Sequence, residues 1–335
     1  MQGLTEAEIS KLCNQKGNSG FSAAPYWTAE IYGFGRLIRE YGSYPAFLPL
    51  CISTDHGPST LDFPLKQELE TTAPCQFYHS PRLVSAWKKV SNKPCYPLYS
   101  PFVFYRRKYN INVSPEARGA IAFPAHTTHS IEDVSDIEAY IKQLLELPPE
   151  FQPVSVCLHY EDMKKKKYKI FQEYKIPVYT AGYYFDQRFT ERFYNILRNF
   201  KYATSNIPGS YLFYSVEMGI PFSLYGEKQK YVNKGDPNLP LGEFDPYKTS
   251  NLYKEAHRLF EGLNTKITPE QYSFVENSLG LKDGVDRPHM RHILYTSFVR
   301  WLFSEAPFLW MCKIIEVVFK LTRQKLWRAS RQGVR

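Results

Sequence analysis

From Gly119 to Gly226 the chain alternates short apolar runs with amphipathic or polar stretches. Residues 119–124 ("GAIAFP"), 153–160 ("PVSVCLHY"), 176–182 ("IPVYTAG"), the opening of 201–226 and its end at 220–226 read as strands, each brief and bounded by turn residues. Between them, residues 131–147 have helical spacing, with Ile131, Val134, Ile137, Ile141, Leu144 and Leu145 on one side. Residues 161–175 read as a polar helix, 186–200 as an amphipathic helix, and 209–218 as a third helix after a polar turn. Strands separated by single helices must be joined by crossovers, which build a parallel sheet. This pattern predicts a doubly wound nucleotide-binding half.

The first 115 residues are less regular. A helix is expected over 28–42, a buried strand ending in a polar loop over 47–57, and a strand followed by a helix over 75–92. Residues 94–111 are rich in Pro and Tyr and lead towards the second half. After Gly226 a polar stretch reads as a loop, helices follow near 251–263 and 268–279, and a long helical region is broken near Pro307. The expected architecture is therefore α/β, with an α/β domain over 1–115, a Rossmann-like domain over 116–250, and C-terminal helices over 251–335.

Composition narrows the class. A hydrophobic content of 43% supports real cores, and 26 Tyr and 23 Phe suit ligand clefts with apolar walls and polar tips. Six scattered Cys, without CxxC, argue against a structural zinc site or a disulfide framework, so a reducing, cytoplasmic setting is expected. No secretory leader and no apolar membrane span are expected. A net charge of +9 points to an anionic partner. The run Lys164–Lys167 reads as a solvated helix face without aromatic interleaving, so nucleic acid is not the expected partner. From Lys313 to Arg335 there are seven Lys or Arg and one acid, Glu316, beside Trp and Phe. Residues 301–335 read either as an element lying on an anionic membrane surface or as a helix packed on the domain with a basic tail.

Three polar stretches fall at the C-terminal ends of expected strands, where open α/β sheets bind ligands. They are "STDHGPS" (53–59), "AHTTHS" (125–130) and "TSNIPGS" (204–210). Asp55 and His56 could supply a general base and its orienting carboxylate, or the His could be an ordinary loop residue. His126, Thr127, Thr128 and His129 suit a phosphate better than zinc, and the alternative is a helix cap formed by Ser130. Ser205, Asn206, Gly209 and Ser210 stand before a helix whose unpaired N–H groups could hold an anion, or they could simply cap it. Glu217, two turns in, could turn back to a ribose, although surface exposure is the usual fate of such a Glu. Tyr183, past the strand at 176–182, is counted with the nucleotide-binding set. No P-loop, GxGxxG or GxSxG is present.

The segment "GSYLFYSVEMGIPF" resembles the GT-B glycosyltransferase stretch in which a Gly/Ser-started helix ends in a Gly-x-Pro turn. "TDHG", "FPAHTTHS" and "TSNIPGS" together are similar to the spaced motifs of bacterial sialyl-, polysialyl- and Kdo-type transferases. That resemblance implies a GT-B-like pair of Rossmann-like domains and metal-independent transfer of a sugar from a nucleotide-sugar donor, CMP-linked in those families. Its implied acceptor is a surface polysaccharide or glycolipid, a glycan or lipid-linked glycan, and its setting the cytoplasmic face of the plasma membrane. It implies a base role for Asp55 or His56 and phosphate contacts for His126, Ser205 and Ser210. No cofactor and no metal is expected. Transfer of a polyol phosphate from a CDP-alcohol, and noncatalytic nucleotide or polysaccharide binding on the same fold, are the alternatives.

Overall fold

The computed structural model describes residues 2–14, 25–128, 130–245 and 250–304. The first half is organised by three parallel strands, β1 (Ser53–Thr54), β2 (Gln76–Tyr78) and β3 (Cys95–Pro97), side by side in that order. The helix Pro81–Val90 crosses from β2 to β3, started by Ser80, whose hydroxyl accepts from the Arg82 N–H, and by Pro81 at its first position. The helix expected over 28–42 is broken. Two 3-10 turns precede the helix Phe34–Tyr41, because Tyr32 and Gly33 both take positive φ.

The second half opens with β4 (Ala120–Ala122). β5 (Ile131–Asp133) leaves the main sheet. β6 (Val154–Cys157), β7 (Val178–Tyr179), β8 (Tyr202–Ser205) and β9 (Phe222–Leu224) return to it, in spatial order β7-β6-β4-β8-β9, all parallel. β4, β6, β8 and β9 are buried along their whole length, as strands covered by helices on both faces must be. The chain runs outward from β4 to β7 and then crosses back to β8. The direction of winding therefore reverses between β4 and β8, and a crevice opens there at their carboxyl ends. The α/β class with parallel, Rossmann-like sheets is what the alternating pattern led one to expect.

Three local readings are corrected. Residues 131–133 are a strand, and the helix Ile137–Leu145 begins only after Asp136, whose carboxylate caps the Ala139 N–H at 2.9 Å. The polar stretch after Gly226 contains β10 (Tyr231–Asn233) and β11 (Gly242–Phe244), a hairpin that pairs antiparallel with β5. The Lys-rich helix is two pieces, Tyr160–Lys164 and Tyr168–Glu173, with Lys166 at positive φ between them. Lys167 is turned inward, 3.1 Å from Asp162 and 3.2 Å from the Thr127 hydroxyl, so it is not part of a solvated face.

The chain ends cross between the halves. The helix Glu6–Asn14, counted above with the first domain, lies on the second sheet, where the Leu4 N–H donates to the Val178 carbonyl and Ile9 joins that core. The helix Arg287–Ser304 returns to the first half, burying Met290, Ile293 and Leu294, with Ser297 beside Cys75 at 3.3 Å. One hydrophobic cluster runs through both halves, from Phe34 and Phe77 to Phe193, Phe213 and Leu294. Among the described residues no helix is long and apolar enough to cross a membrane. Of the segment 301–335, only Trp301–Ser304 are described; they end that last helix, and the rest lies outside the described residues.

The helix Ser210–Glu217 ties the halves together. Glu217 is buried and accepts from both sides of the Arg106 guanidinium at 2.7 Å and from Arg107 at 3.0 Å, both from the helix Pro101–Lys108. Glu217→Ala would strand one partly buried guanidinium and loosen the other. Urea unfolding should show a loss of about 3 kcal/mol, the scale for breaking a buried pair. A loss below about 1 kcal/mol, the scale of a surface pair, would contradict this description.

Candidate active site

The crevice at the β4/β8 switch is a cavity of about 290 Å³ between the two halves. The loop after β1 (His56 to Thr60) forms one wall. The other is built from the carboxyl ends of the second sheet: Phe123, Pro124 and His126 after β4, Leu158, His159 and Tyr160 after β6, Thr180 to Gly182 after β7, and Pro208 to Tyr211 after β8. Aromatic rings line its floor, among them Phe102, Phe189, Phe193 and Tyr214.

The wall is shaped by hydrogen bonds behind it. The Ser205 hydroxyl donates to the Phe123 carbonyl at 2.5 Å and accepts from the Ile207 N–H at 3.1 Å. The Asn206 side chain accepts from the Ala125 N–H at 2.9 Å and donates to the Glu227 carbonyl at 3.0 Å. Ser205 and Asn206 are buried and fully used in this bracing, so they do not line the cavity as the sequence reading had them. The helix Ser210–Glu217 then starts from an extended Gly209 with no side-chain cap among the described residues. Ser210 and Asn206 therefore do not cap it. Ser210 instead donates across the crevice to the Pro58 carbonyl at 3.2 Å. Uncapped N–H groups at a helix start favour an anion, by hydrogen bonding and by the helix dipole.

His126 and His159 stack beside this point, ring centres 4.3 Å apart. Nδ1 of His159 accepts from the Glu161 N–H at 3.3 Å, which places the ring proton of the neutral form on Nε2 as a donor. Burial pushes the His126 pKa below the ordinary value, against the pull of Asp162 and Asp133; burial and then His126 push His159 well below it. His56 is exposed to solvent at the cavity mouth, yet the surrounding walls lower its pKa too, partly offset by Asp55.

His56, His126, Gly209 and Ser210 thus share one cavity, and the other proposed site residues stand elsewhere. Asp55 is buried behind its loop, held by His79: Oδ1 lies 2.6 Å from His79 Nδ1, and Oδ2 accepts from the His79 N–H at 3.0 Å. Thr127 accepts from Lys167, and Thr128 accepts from the N–H groups of Ser130 and Ile131, both closing the loop before β5. Tyr183 packs against Tyr160 and Tyr184 behind the wall. Glu217 sits at the far end of its helix, about 10 Å from the first turn at 1.5 Å per residue, and is used by Arg106 and Arg107 rather than facing a ribose. His129 lies outside the described residues. The sequence reading missed His159, Tyr160 and Thr180. The rule that selected His126, a polar residue where a parallel strand ends, would have found His159 had "HY" not been counted as strand.

Two parallel α/β sheets meeting at a switch-point crevice give the chain a GT-B-like fold. No family model and no curated protein sequence matches this chain. Among solved structures, the wall teichoic acid polymerase TagF is similar at 11% identity and a TM-score of 0.35, over 75% of this chain and 68% of that one. A CDPG-soaked variant of the same polymerase gives 10% identity and a TM-score of 0.36, over 75% and 67%. At that distance the likeness says nothing about substrate.

The depressed imidazoles set a pH dependence. An unfolded His titrates near 6.5, so on acidification the unfolded state takes up protons before His126 and His159 do. More protons bound in the unfolded state means that stability falls as pH falls, from about 6.5 down to the lowered folded values. Urea midpoints of the unliganded protein between pH 7.5 and 5.5 should decline, and His126→Asn/His159→Asn should flatten part of that slope. An unchanged slope in the double variant would show that these rings titrate normally.

Proposed function

We propose that this protein is a glycosyltransferase that moves a sugar from a nucleotide-sugar donor to a glycan or lipid-linked glycan acceptor, without a metal. The observation that carries this reading is the uncapped start of the helix Ser210–Glu217 beside two imidazoles that burial holds neutral, with a third imidazole, His56, across the same cavity. The donor's phosphate belongs at the helix start, within reach of the Ser210 hydroxyl and the His159 Nε2–H. His56 takes the proton from the acceptor hydroxyl. The acceptor oxygen bonds to the anomeric carbon as the bond from that carbon to the phosphate oxygen breaks. The charge growing on the leaving nucleotide is met by the N–H dipoles of the helix start. The motif resemblance to sialyl- and Kdo-type transferases supports a CMP-linked donor. The aromatic floor favours a sugar ring, which has apolar faces, over the short polyol of a CDP-alcohol.

A thermal-shift screen of CMP, CDP, UDP, GDP and TDP should find a stabilising nucleotide, since a ligand that binds only the folded state raises its stability. Ser210→Glu should abolish that stabilisation while the protein still folds, as a cooperative urea transition of the free variant would show; some loss of its own stability is expected with the Pro58 bond. His56→Ala should keep nucleotide binding and lose turnover by about 100-fold or more, the scale of a positioned base. Unaltered turnover would move the base elsewhere, and unaltered nucleotide affinity in Ser210→Glu would remove the phosphate from the helix start.

The same reading puts the protein at the cytoplasmic face of a membrane. The helix Arg287–Ser304 ends with Phe303 83% exposed, and the basic segment 305–335 follows. The full chain should bind anionic vesicles, with binding that falls steeply with salt, and a chain ending at Ser304 should not. Equal binding by both would place the contact elsewhere.

A further inference from the structure

The loop that carries His56 is anchored by a pair of side chains that the transfer reaction does not touch. Asp55 and His79 are 3% and 0% exposed. The Asp55 carboxylate takes two bonds from His79, one from its backbone N–H and one at Nδ1. The Asp55 N–H donates to the Phe77 carbonyl at 3.0 Å, which fixes the start of the loop to β2. Gly57 follows at φ +139, a conformation that side chains resist, so the chain turns sharply after His56. Nε2 of His79 is buried and has no hydrogen-bond partner among the described residues. An imidazolium there would bury an N–H without an acceptor, which costs more than an idle ring lone pair. The neutral tautomer with its proton on Nδ1 fits, and it leaves the full negative charge on Asp55.

We propose that Asp55 and His79 form a buried positioning pair for His56: neutral His79 holds Asp55 ionised and fixed beneath the loop, and that carboxylate stabilises the imidazolium that His56 becomes when it accepts a proton. This rests on the reading in which His56 is the base. The device resembles a base oriented by a buried acid, but the acid acts through space on its chain neighbour instead of bonding to its ring. The groups that act on His56 are Asp55 beneath it, His79 behind, Asp236 from the turn after β10, and His126, which shares the cavity. Around Asp55 itself stand Glu68, Tyr78, Cys95 and Tyr214. The charge on Asp55 helps keep these groups protonated, and among the described residues the hydrogen bonds to its carboxylate come from His79.

Histidine-selective isotope labelling of the full chain reads both residues by NMR. In the unmodified protein at pH 7.5, His79 should show the Nδ1–H tautomer. A protonated ring, or the Nε2–H tautomer, overturns the proposal even if every variant fails to fold. Asp55→Asn should lower the His56 titration midpoint by about one pH unit, the low end for a nearby opposite charge. His79→Ala should do the same, while His79→Asn, whose amide can still donate to Asp55, should restore it. In a transferase assay the acid limb of the kcat/KM profile should move with the midpoint. An unchanged His56 midpoint in Asp55→Asn would make the pair merely structural. An absence of transferase turnover with the midpoints as expected would instead sink the functional reading and leave the pair intact.

Discussion

The crevice depends on one splice. Two loops leave adjacent parallel strands, β4 and β8, and are tied together behind the cavity by Ser205 to the Phe123 carbonyl and Asn206 to the Ala125 N–H. Without it, the backbone polar groups of both loops would compete for the space in front of the helix start. With it, those groups are satisfied from behind, and the helix Ser210–Glu217 starts at the cavity without a side-chain cap among the described residues. The residues that looked most like ligand contacts are the ones that build this scaffold, since buried polar groups must be hydrogen-bonded.

The same helix links site to fold. Its start faces the cavity, and its end carries Glu217, held by Arg106 and Arg107 of the first half. Phe102 stacks on Tyr214 midway, ring centres 4.3 Å apart. The distance between the helix start and the His56 loop is thus set by a rigid rod with a charged clamp at one end and the Ser210 to Pro58 bond at the other. A site assembled from two halves needs such a constraint, because misplacement by about 1 Å costs catalytic rate heavily.

The second sheet was legible because its signal is local. Short apolar runs at regular spacing, separated by helices, leave few topologies, and the strand ends then mark the crevice. What was not legible depended on contacts distant in sequence. β5 pairs with a hairpin about 100 residues away, and a three-residue strand carries too little period to be told from the first turn of a helix. Asp55 and His79, and Glu217 with its two arginines, were invisible for the same reason. A carboxylate in a polar loop reads alike whether it faces a ligand or a buried imidazole. His56, His126 and Ser210 could be placed on one cavity wall or another because each follows a strand end, and His159, which lines the same cavity, was passed over because that criterion was not applied there.

The central claim is that an anion binds at the start of the helix Ser210–Glu217. Amide and imidazole resonances followed while CMP is added to the labelled protein test it most directly. The account predicts that the largest shifts fall on the amides of Gly209 to Leu212 and on the rings of His126 and His159. Shifts concentrated instead around Ser80, Arg82 and Glu255, which line a separate cavity on the molecule, would contradict it.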